Sequence, residues 1–436
     1  MAFKRELGPF DATMVVIGGI IGSGIFINPT FVARALDSPA LVLAAWLAGG
    51  CVAIAGAFAY AELARQMPRA GGQYVFLREA WHPAVGFLYG WALLLMIETG
   101  AIAAVAITFA QYALRLVDGP QTSVTAVAVA SIVLLSAINY FGVKVGSRVL
   151  NVLVVLKVAA LAILILFAWF QTGSPGWLTT ARVDDSPSTP MTFAAALIPI
   201  LFAYGGWQVS TYIAEEMRNP EKDLPRSLVL GTLSVVAIYL LVNVAYLRTL
   251  GLEGLAGTAT PAAETAGRWM GAAGERFVSA AIAISTFGFL NLSVLAPARV
   301  YYAMAADGAF HPSLARLHPR FGTPDVAIIL QAVWAIALAV TGRYEQLLSW
   351  VVFGDWIFFG LTVAGLFVLR RRLGPPASHG TPLYPWLPAF FVLVAVIVVV
   401  ATIRENPTQS GIGALLLLAG LPIYYWFTSR SRRKTA

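Results

Sequence analysis

Charge and cysteine are both scarce in this 436-residue chain. Charged residues make up 11% of it and hydrophobic residues 59%, a balance that no ordinary soluble domain approaches. A single cysteine, Cys51, excludes an intrachain disulfide and a cysteine-based metal site. The four histidines fall in predicted loops or at the ends of hydrophobic segments. The sequence therefore lacks the residues of an intramembrane metalloprotease or a haem-bearing electron carrier.

Long hydrophobic runs are what the chain has in abundance. We predict twelve segments of about 18 or more residues, each long enough to cross a hydrocarbon core of about 30 Å. Their centres lie near Gly22, Ala53, Met96, Val129, Lys157, Ala203, Ile238, Leu290, Ala332, Phe359, Ala395 and Leu417. Connectors rich in proline and glycine are expected at 173–190 and 373–385. The predicted fold class is an all-α integral membrane protein, with a single membrane domain over residues 1–436 and no cleaved signal peptide.

The distribution of basic residues predicts the orientation. If both termini are cytoplasmic, cytoplasmic segments hold 20 of the 29 Lys and Arg residues and the opposite loops hold eight, while Lys157 lies within a span. Such an excess on one side is typical of the cytoplasmic face of a membrane protein. We therefore attribute the net charge of +8 to topology and to anionic membrane lipid, and we expect no nucleic-acid partner.

Two of the hydrophobic segments are interrupted by glycine. Segment 15–29 contains Gly22-Ser23-Gly24, and segment 191–214 contains Gly205-Gly206. A membrane helix that unwinds frees backbone N–H and C=O groups, which persist only where they line a protected cavity. Breaks at matching points of two halves indicate the substrate site of a secondary transporter. Close packing of small residues is the alternative explanation for each break.

The chemistry of such breaks suits an α-amino acid. Unpaired N–H groups at the start of a half-helix, together with the positive end of its dipole, favour a carboxylate. Free carbonyls at the end of the preceding half-helix favour an ammonium group, which donates three hydrogen bonds. The sequence therefore predicts an amino-acid substrate.

Several motifs resemble those of the amino acid–polyamine–organocation (APC) superfamily. Residues 18–26, GGIIGSGIF, are similar to its first-helix motif. Residues 60–63, YAEL, followed by PRAGGQY at 68–74, resemble its second-helix signature. Residues 202–207, FAYGGW, and the stretch 215–226 resemble its L-type amino-acid transporter branch. The resemblance covers nearly the whole chain and implies a LeuT-type fold. Two inverted five-helix repeats are then expected at about 10–172 and 190–372, with two additional helices at about 384–428.

The resemblance also implies a set of site residues. The substrate would contact Ile20, Gly22, Ser23, Gly24, Phe202, Ala203 and Gly205. The backbone N–H groups of Ser23 and Gly24 and the Ser23 hydroxyl would hold the carboxylate. Carbonyls of four others, Ile20, Phe202, Ala203 and Gly205, would hold the amine. Phe202 and Trp207 are predicted to be gating aromatics, with a plain core role as the alternative for each.

Lys157 is the most informative single residue. It lies near the middle of the fifth span, where an isolated charge costs at least ~2.5–3.5 kcal/mol, so it should face the bundle interior. In sodium-coupled relatives a sodium ion bridges the first and eighth helices, and in several sodium-independent members a fifth-helix lysine takes that place. Lys157 matches this position, with carbonyls near Ile20 and the hydroxyls of Ser285 or Thr286 as expected partners. A purely structural lysine and a proton carrier are the alternatives.

Acidic residues occur within and at the ends of the predicted spans. For Glu98 and Asp355 we expect a static ion pair or a hydrogen bond to a neighbouring helix, with proton carriage as the alternative. Glu62, Glu215 and Glu216 lie at cytoplasmic helix ends, close in sequence to Arg65, Arg69 and Arg218. This group is expected either to latch an inner gate or to remain solvated.

These observations predict a sodium-independent exchanger of neutral L-amino acids that works by alternating access in an inner (plasma) membrane. Proton-coupled symport or uniport, and transport of cationic amino acids or polyamines, remain alternatives. We expect no enzymatic activity, no catalytic residues, no metal and no cofactor. The partners expected are a small-molecule amino acid and membrane lipid. The loop 115–122 lacks the cysteine that tethers animal relatives to a glycoprotein, so no disulfide-linked subunit is expected, while a monomer and a homodimer both remain open.

Overall fold

The computed structural model covers most of the chain. It describes residues 5–141, 143–170, 173, 177–179, 189–342, 344–376 and 380–435, with side chains for all of these except 143–149, 344–346, 348–349 and 430–435. Most of the predicted connector at 173–190 and part of the one at 373–385 lie outside the described residues.

Within the described residues the chain forms seventeen α-helices. The first eight are α1 Pro9–Ile20, α2 Gly24–Ala35, α3 Pro39–Gln66, α4 Gln73–Ala80, α5 Pro83–Ala92, α6 Glu98–Leu116, α7 Val124–Tyr140 and α8 Val143–Phe170. The others are α9 Pro190–Ala203, α10 Pro220–Gly257, α11 Pro261–Met270, α12 Ala272–Leu295, α13 Ala298–Ala306, α14 Asp325–Thr341, α15 Tyr344–Leu373, α16 Trp386–Glu405 and α17 Pro407–Thr435. Two irregular pieces complete the core of the fold: a π-helical turn at Leu93–Ile97 and a 3-10 helix at Trp207–Glu216.

Proline marks many of the helix starts. Pro9, Pro39, Pro83 and Pro220 each occupy the first helical position, where the missing N–H has no intrahelical partner to lose and the fixed φ suits a helix. Before α3, the Ser38 hydroxyl also accepts a hydrogen bond from a backbone N–H at 3.3 Å. Local sequence therefore sets where these helices begin, and the hydrophobic runs determine how long they are.

Most of the predicted spans appear as long apolar helices. Eleven helical segments in the described part of the chain are long and apolar enough to cross a membrane, with mean hydropathies between 1.4 and 2.8. The predicted span around Ala332 corresponds to α14, which at 17 residues is shorter than the others. The prediction of an all-α membrane protein is confirmed.

The broken segments lie at the centre of the bundle. Helix α1 packs against α10, α8 and the 3-10 helix, while α2 packs against α9 and α10. Helix α12 lies against α6 and α8 and so completes the wall around α1. By contrast, large apolar side chains such as Phe170, Leu393 and Leu415 are exposed on the outer surface. An apolar outside around a core that contains polar groups is the arrangement that a lipid environment requires.

Candidate functional site

The first predicted break is present between α1 and α2. Helix α1 ends at Ile20, Ile21 leaves helical geometry with φ −77° and ψ 86°, and α2 begins at Gly24. Ser23 is the N-cap of α2, yet its side chain makes no capping hydrogen bond. The Ser23 hydroxyl oxygen is buried and has no hydrogen-bond partner. The first turn of α2 therefore directs its N–H groups and an unpartnered hydroxyl toward the interior.

The second predicted break follows α9. The helix ends at Ala203, and Gly206 adopts the left-handed conformation with φ 101°, which glycine accepts without strain. The chain then continues as a 3-10 segment of ten residues, which is kinked at Ile213, where φ is −103° and ψ is 19°. The Gln208 side chain accepts a hydrogen bond from the Gly206 N–H at 3.0 Å and so stabilises the turn.

The two breaks cross in close contact. A Cβ on Gly24 would lie 2.7 Å from the Ala203 Cβ, and a Cβ on Gly206 would overlap the Gly19 carbonyl. Tyr239 of α10, which the sequence analysis did not single out, spans the crossing. Its hydroxyl lies 3.1 Å from the Ile20 carbonyl oxygen and 3.2 Å from the Ala203 carbonyl oxygen. One hydroxyl thus bridges the carbonyl ends of α1 and α9.

A cavity opens beside this crossing. All seven residues predicted to contact substrate line it, namely Ile20, Gly22, Ser23, Gly24, Phe202, Ala203 and Gly205. Apolar side chains from α6, the 3-10 helix and α15 form the other walls, among them Val105, Val209 and Val351. The structure therefore brings both breaks to one chamber.

The two predicted gating aromatics occupy different places. Phe202 lines the large cavity. Trp207 does not; it borders a smaller one and packs edge-on against Tyr60, with ring centroids 4.6 Å apart, and in a stacked arrangement against Phe359 at 5.2 Å. The indole of Trp207 thus takes part in an aromatic cluster behind the chamber.

Lys157 is fully buried against the first break. Its Nζ donates hydrogen bonds to the carbonyl oxygens of Gly18 at 3.0 Å and Ile21 at 2.5 Å. The Ser285 hydroxyl of α12 also points at the Ile21 carbonyl, at 3.5 Å. The Thr286 hydroxyl instead donates to carbonyls of its own helix. The lysine and Ser285 therefore meet on one carbonyl, which joins α8, α1 and α12.

Glu98 and Asp355 line the same cavity from two neighbouring helices, α6 and α15. Glu98 begins α6 directly after the π-helical turn, is 5% exposed, and lies within hydrogen-bonding reach of Ser293. Asp355 lies in the middle of α15, and its Oδ1 is buried without a hydrogen-bond partner. No ion pair involves either carboxyl group among the described residues. The expected static ion pair is therefore absent from the described residues. For Glu98 the structure has the alternative, a hydrogen bond to a neighbouring helix.

Ion pairs gather at one end of the bundle, near the start of α1 and the end of α3. The Arg299 guanidinium donates to the Glu216 carboxylate at 2.8 Å, and both groups are almost fully buried. Arg370 makes two hydrogen bonds of 2.7 Å to the Glu62 carboxylate. The sequence analysis noted arginines close in sequence to these acids, whereas the observed partners are 83 and 308 residues away.

A third ion pair at this end involves Arg78 and Asp307, and Tyr74 donates to the same carboxylate at 2.8 Å. Burial raises the pKa of Tyr74 above its ordinary value, and the nearby Asp307 carboxylate raises it further. For Arg78, burial opposes the charged form, but Glu79 and Asp307 outweigh it and raise the pKa of the guanidinium. Both side chains therefore keep their protons throughout the physiological range.

The N-terminal segment is tied to the same end. The Leu7 N–H donates to the Glu216 carbonyl at 2.9 Å, and the Arg218 N–H donates back to the Leu7 carbonyl at 2.9 Å. Leu7 and Met217 form a parallel bridge. The residues just before α1 are thus hydrogen-bonded to the residues that end the 3-10 helix.

Known proteins match this chain over almost its whole length. Serine/threonine exchanger SteT of Bacillus subtilis (strain 168) is 33% identical over 431 residues, which cover 98% of each chain. The human large neutral amino acids transporter small subunit 2 is 30% identical over 433 residues, 98% of this chain and 81% of the relative. The human b(0,+)-type amino acid transporter 1 is 30% identical over 438 residues, 98% of this chain and 88% of the relative.

The family match is equally extensive. Residues 7–427 match the family described as amino acid permease. This range includes both broken segments, the buried lysine and every wall of the cavity. The resemblance found in the sequence motifs is confirmed: the chain belongs to the amino acid permease family of the APC superfamily.

Proposed function

We propose that this protein exchanges neutral L-amino acids across a membrane without sodium, by alternating access around the cavity between its two broken helices. The observation that carries this proposal is the cavity itself, because both breaks open into it. The relatives named above are called exchangers or amino acid transporters, which supports the same activity.

The two ends of an amino acid find complementary groups in the chamber. The substrate carboxylate would lie at the start of α2, where the backbone N–H groups after Ser23 and the unpartnered hydroxyl face the cavity. The ammonium group would lie at the carbonyl ends of α1 and α9, next to the hydroxyl of Tyr239. Every α-amino acid carries a carboxylate and an ammonium group. This part of the site therefore selects α-amino acids but does not distinguish their side chains.

Sodium independence rests on Lys157. A sodium ion beside the first break would need oxygen ligands from α1 and α12, and Gly18, Ile21 and Ser285 supply such oxygens. The ammonium group of Lys157 already sits on two of them and brings the positive charge that the cation would contribute. The protein is therefore proposed to work without a sodium gradient.

The apolar part of the chamber wall supports neutral substrates. Val105, Val209, Val351 and Phe289 offer an apolar surface to part of the substrate side chain. We propose that the protein resides in an inner (plasma) membrane with both termini in the cytoplasm and that it needs no disulfide-linked subunit. The two broken helices would belong to inverted five-helix repeats that move against each other.

Uptake into proteoliposomes tests the proposal. Labelled L-alanine, L-serine and L-leucine are offered without sodium to vesicles that contain either unlabelled amino acid or buffer alone. Exchange predicts rapid uptake only into loaded vesicles, and addition of sodium should leave the rate unchanged. Equal uptake into empty vesicles would show uniport or proton symport instead, and an imposed pH gradient would separate those two. Protein-free vesicles give the background.

A further inference from the structure

The proposed binding of the α-amino and α-carboxylate groups leaves one wall of the chamber unexplained. Glu98 on α6 and Asp355 on α15 both line the cavity, together with an otherwise largely apolar set of side chains. Glu98 is 5% exposed, and Asp355 Oδ1 is buried with no hydrogen-bond partner. The Ser23 hydroxyl, 2% exposed and equally without a partner, faces the same space. Within the described residues, neither carboxyl group has a cationic partner, and neither Asp355 Oδ1 nor the Ser23 hydroxyl has a hydrogen-bond partner.

The electrostatics of the chamber call for a positive charge. Burying an ionised carboxylate without a cationic partner costs several kcal/mol, so two such groups in one chamber need a cation or protons. The only cationic side chain near the breaks, in the part of the chain that the structure describes, is Lys157, which is hydrogen-bonded to Gly18 and Ile21 and does not line the cavity. The ligand is then the natural source of the missing charge.

We infer that Glu98 and Asp355 form an acidic subsite for the side-chain ammonium of a basic L-amino acid, such as lysine or ornithine. The carboxylate of this substrate lies at the start of α2 and its α-ammonium at the ends of α1 and α9, while the side chain extends toward α6 and α15. The inference rests on the proposed amino-acid exchange and extends it from neutral to basic substrates.

The first test uses the wild-type protein. Vesicles loaded with unlabelled L-lysine are offered labelled L-lysine without sodium, an exchange that moves no net charge. L-norleucine, which has the same carbon chain without the terminal amine, is the matched neutral competitor. The subsite predicts that lysine is exchanged and that it displaces labelled lysine at lower concentration than norleucine does. If alanine is exchanged but lysine is not, the subsite is refuted while the proposed function stands. If no amino acid is exchanged, the proposed function itself fails.

The second test uses Glu98→Gln and Asp355→Asn, with Glu405→Gln at the exposed end of α16 as the matched control. Loss of one buried charge partner should raise the KM for lysine relative to that for norleucine by at least about 30-fold. The control should leave that ratio unchanged. An equal loss for both substrates would refute the subsite, because it would indicate that the carboxyl groups hold the shared α-ammonium or the fold.

Binding provides a readout that does not depend on transport. In detergent, lysine should raise the unfolding temperature of the wild-type protein more than norleucine does, and this difference should shrink in both variants. A wild-type protein that alanine stabilises but lysine does not would contradict the inference even if the variants fail to fold. Loss of proton-driven alanine uptake in Asp355→Asn, without any lysine exchange in the wild type, would identify the carboxyl groups as proton carriers and also refute the subsite.

Discussion

Replacement of Lys157 by methionine should nearly abolish transport and leave the fold in place. The substitution keeps most of the length of the side chain and removes its charge. In the structure the ammonium group joins α8 to the carbonyls of Gly18 and Ile21 at the end of α1, directly beside the predicted substrate contacts. Without these hydrogen bonds the two carbonyls lose their strongest donor, and the broken segment loses the group that fixes its orientation.

The magnitude follows from opposing terms. Two hydrogen bonds from a charged donor contribute about 1.5–3 kcal/mol each. Burial of the lysine charge in the membrane costs at least ~2.5–3.5 kcal/mol, so the net contribution of Lys157 to stability is small. The effect on the site is larger, because each carbonyl left without its donor costs about 1–3 kcal/mol in the arrangement that binds substrate. Two such carbonyls cost about 2–6 kcal/mol in total. Since about 1.4 kcal/mol corresponds to tenfold, we expect kcat/KM to fall by at least about 30-fold.

Sodium-free exchange of labelled L-alanine in proteoliposomes measures this loss, and thermal unfolding in detergent measures the stability. Lys222→Met, an exposed lysine at the start of α10, is the matched control and should behave as the wild type does. A stable Lys157→Met protein that transports at nearly the wild-type rate would refute the role assigned to this lysine.

Three further predictions concern other contacts. Gly24→Val should abolish uptake because its side chain would collide with the end of α9. Ser23→Ala should reduce affinity only about fivefold, since the backbone N–H groups remain. Equal, small effects of both variants on uptake would indicate that the break at Gly22 to Gly24 serves only the close packing of helices. Arg299→Met should lower the unfolding temperature because it leaves Glu216 buried and unpaired, a cost of about 3–5 kcal/mol, and adding Glu216→Gln should recover part of it. No recovery in the double variant would show that packing, not charge, is responsible. Burial holds the pKa of Tyr74 above its unfolded value of about 10, so its contribution to stability is present below that pH and is lost as the pH rises above it. Tyr74→Phe should therefore unfold with a shallower decline in stability between about pH 9 and 11, and an unchanged decline would contradict this reasoning.

Features that depend on local sequence could be predicted. The break at Gly22 to Gly24 follows from consecutive residues that do not support a membrane helix, and the structure contains it. The burial of Lys157 follows from the cost of a charge facing lipid. Its partners were predicted to within a turn: carbonyls near Ile20 were expected, and those of Gly18 and Ile21 are observed.

Features that depend on the rotation of helices could not be predicted. Glu98 faces the cavity after a π-helical turn, which adds a residue to the local period and changes the face of the helix on which later residues lie. A regular helical period therefore does not predict the face of the helix on which Glu98 lies. For this reason the sequence did not predict that Glu98 and Asp355 line the same cavity. Tyr239 was missed for a similar reason, because a tyrosine in a hydrophobic segment gives no signal until the carbonyl ends it bridges are known.

Helix α1 contacts the 3-10 segment Trp207–Glu216 at both of its ends. At one end Leu7 is hydrogen-bonded to the last residues of the 3-10 helix, and at the other Gly19 lies directly against Gly206, which precedes that helix. Helix α1, about 18 Å long, and the kinked 3-10 segment are therefore in contact at both of their ends. A substrate bound at the breaks would touch one end of this pair of elements, and the Glu216–Arg299 ion pair lies at the other end. We therefore expect occupation of the chamber to influence the ion pairs at that end of the bundle.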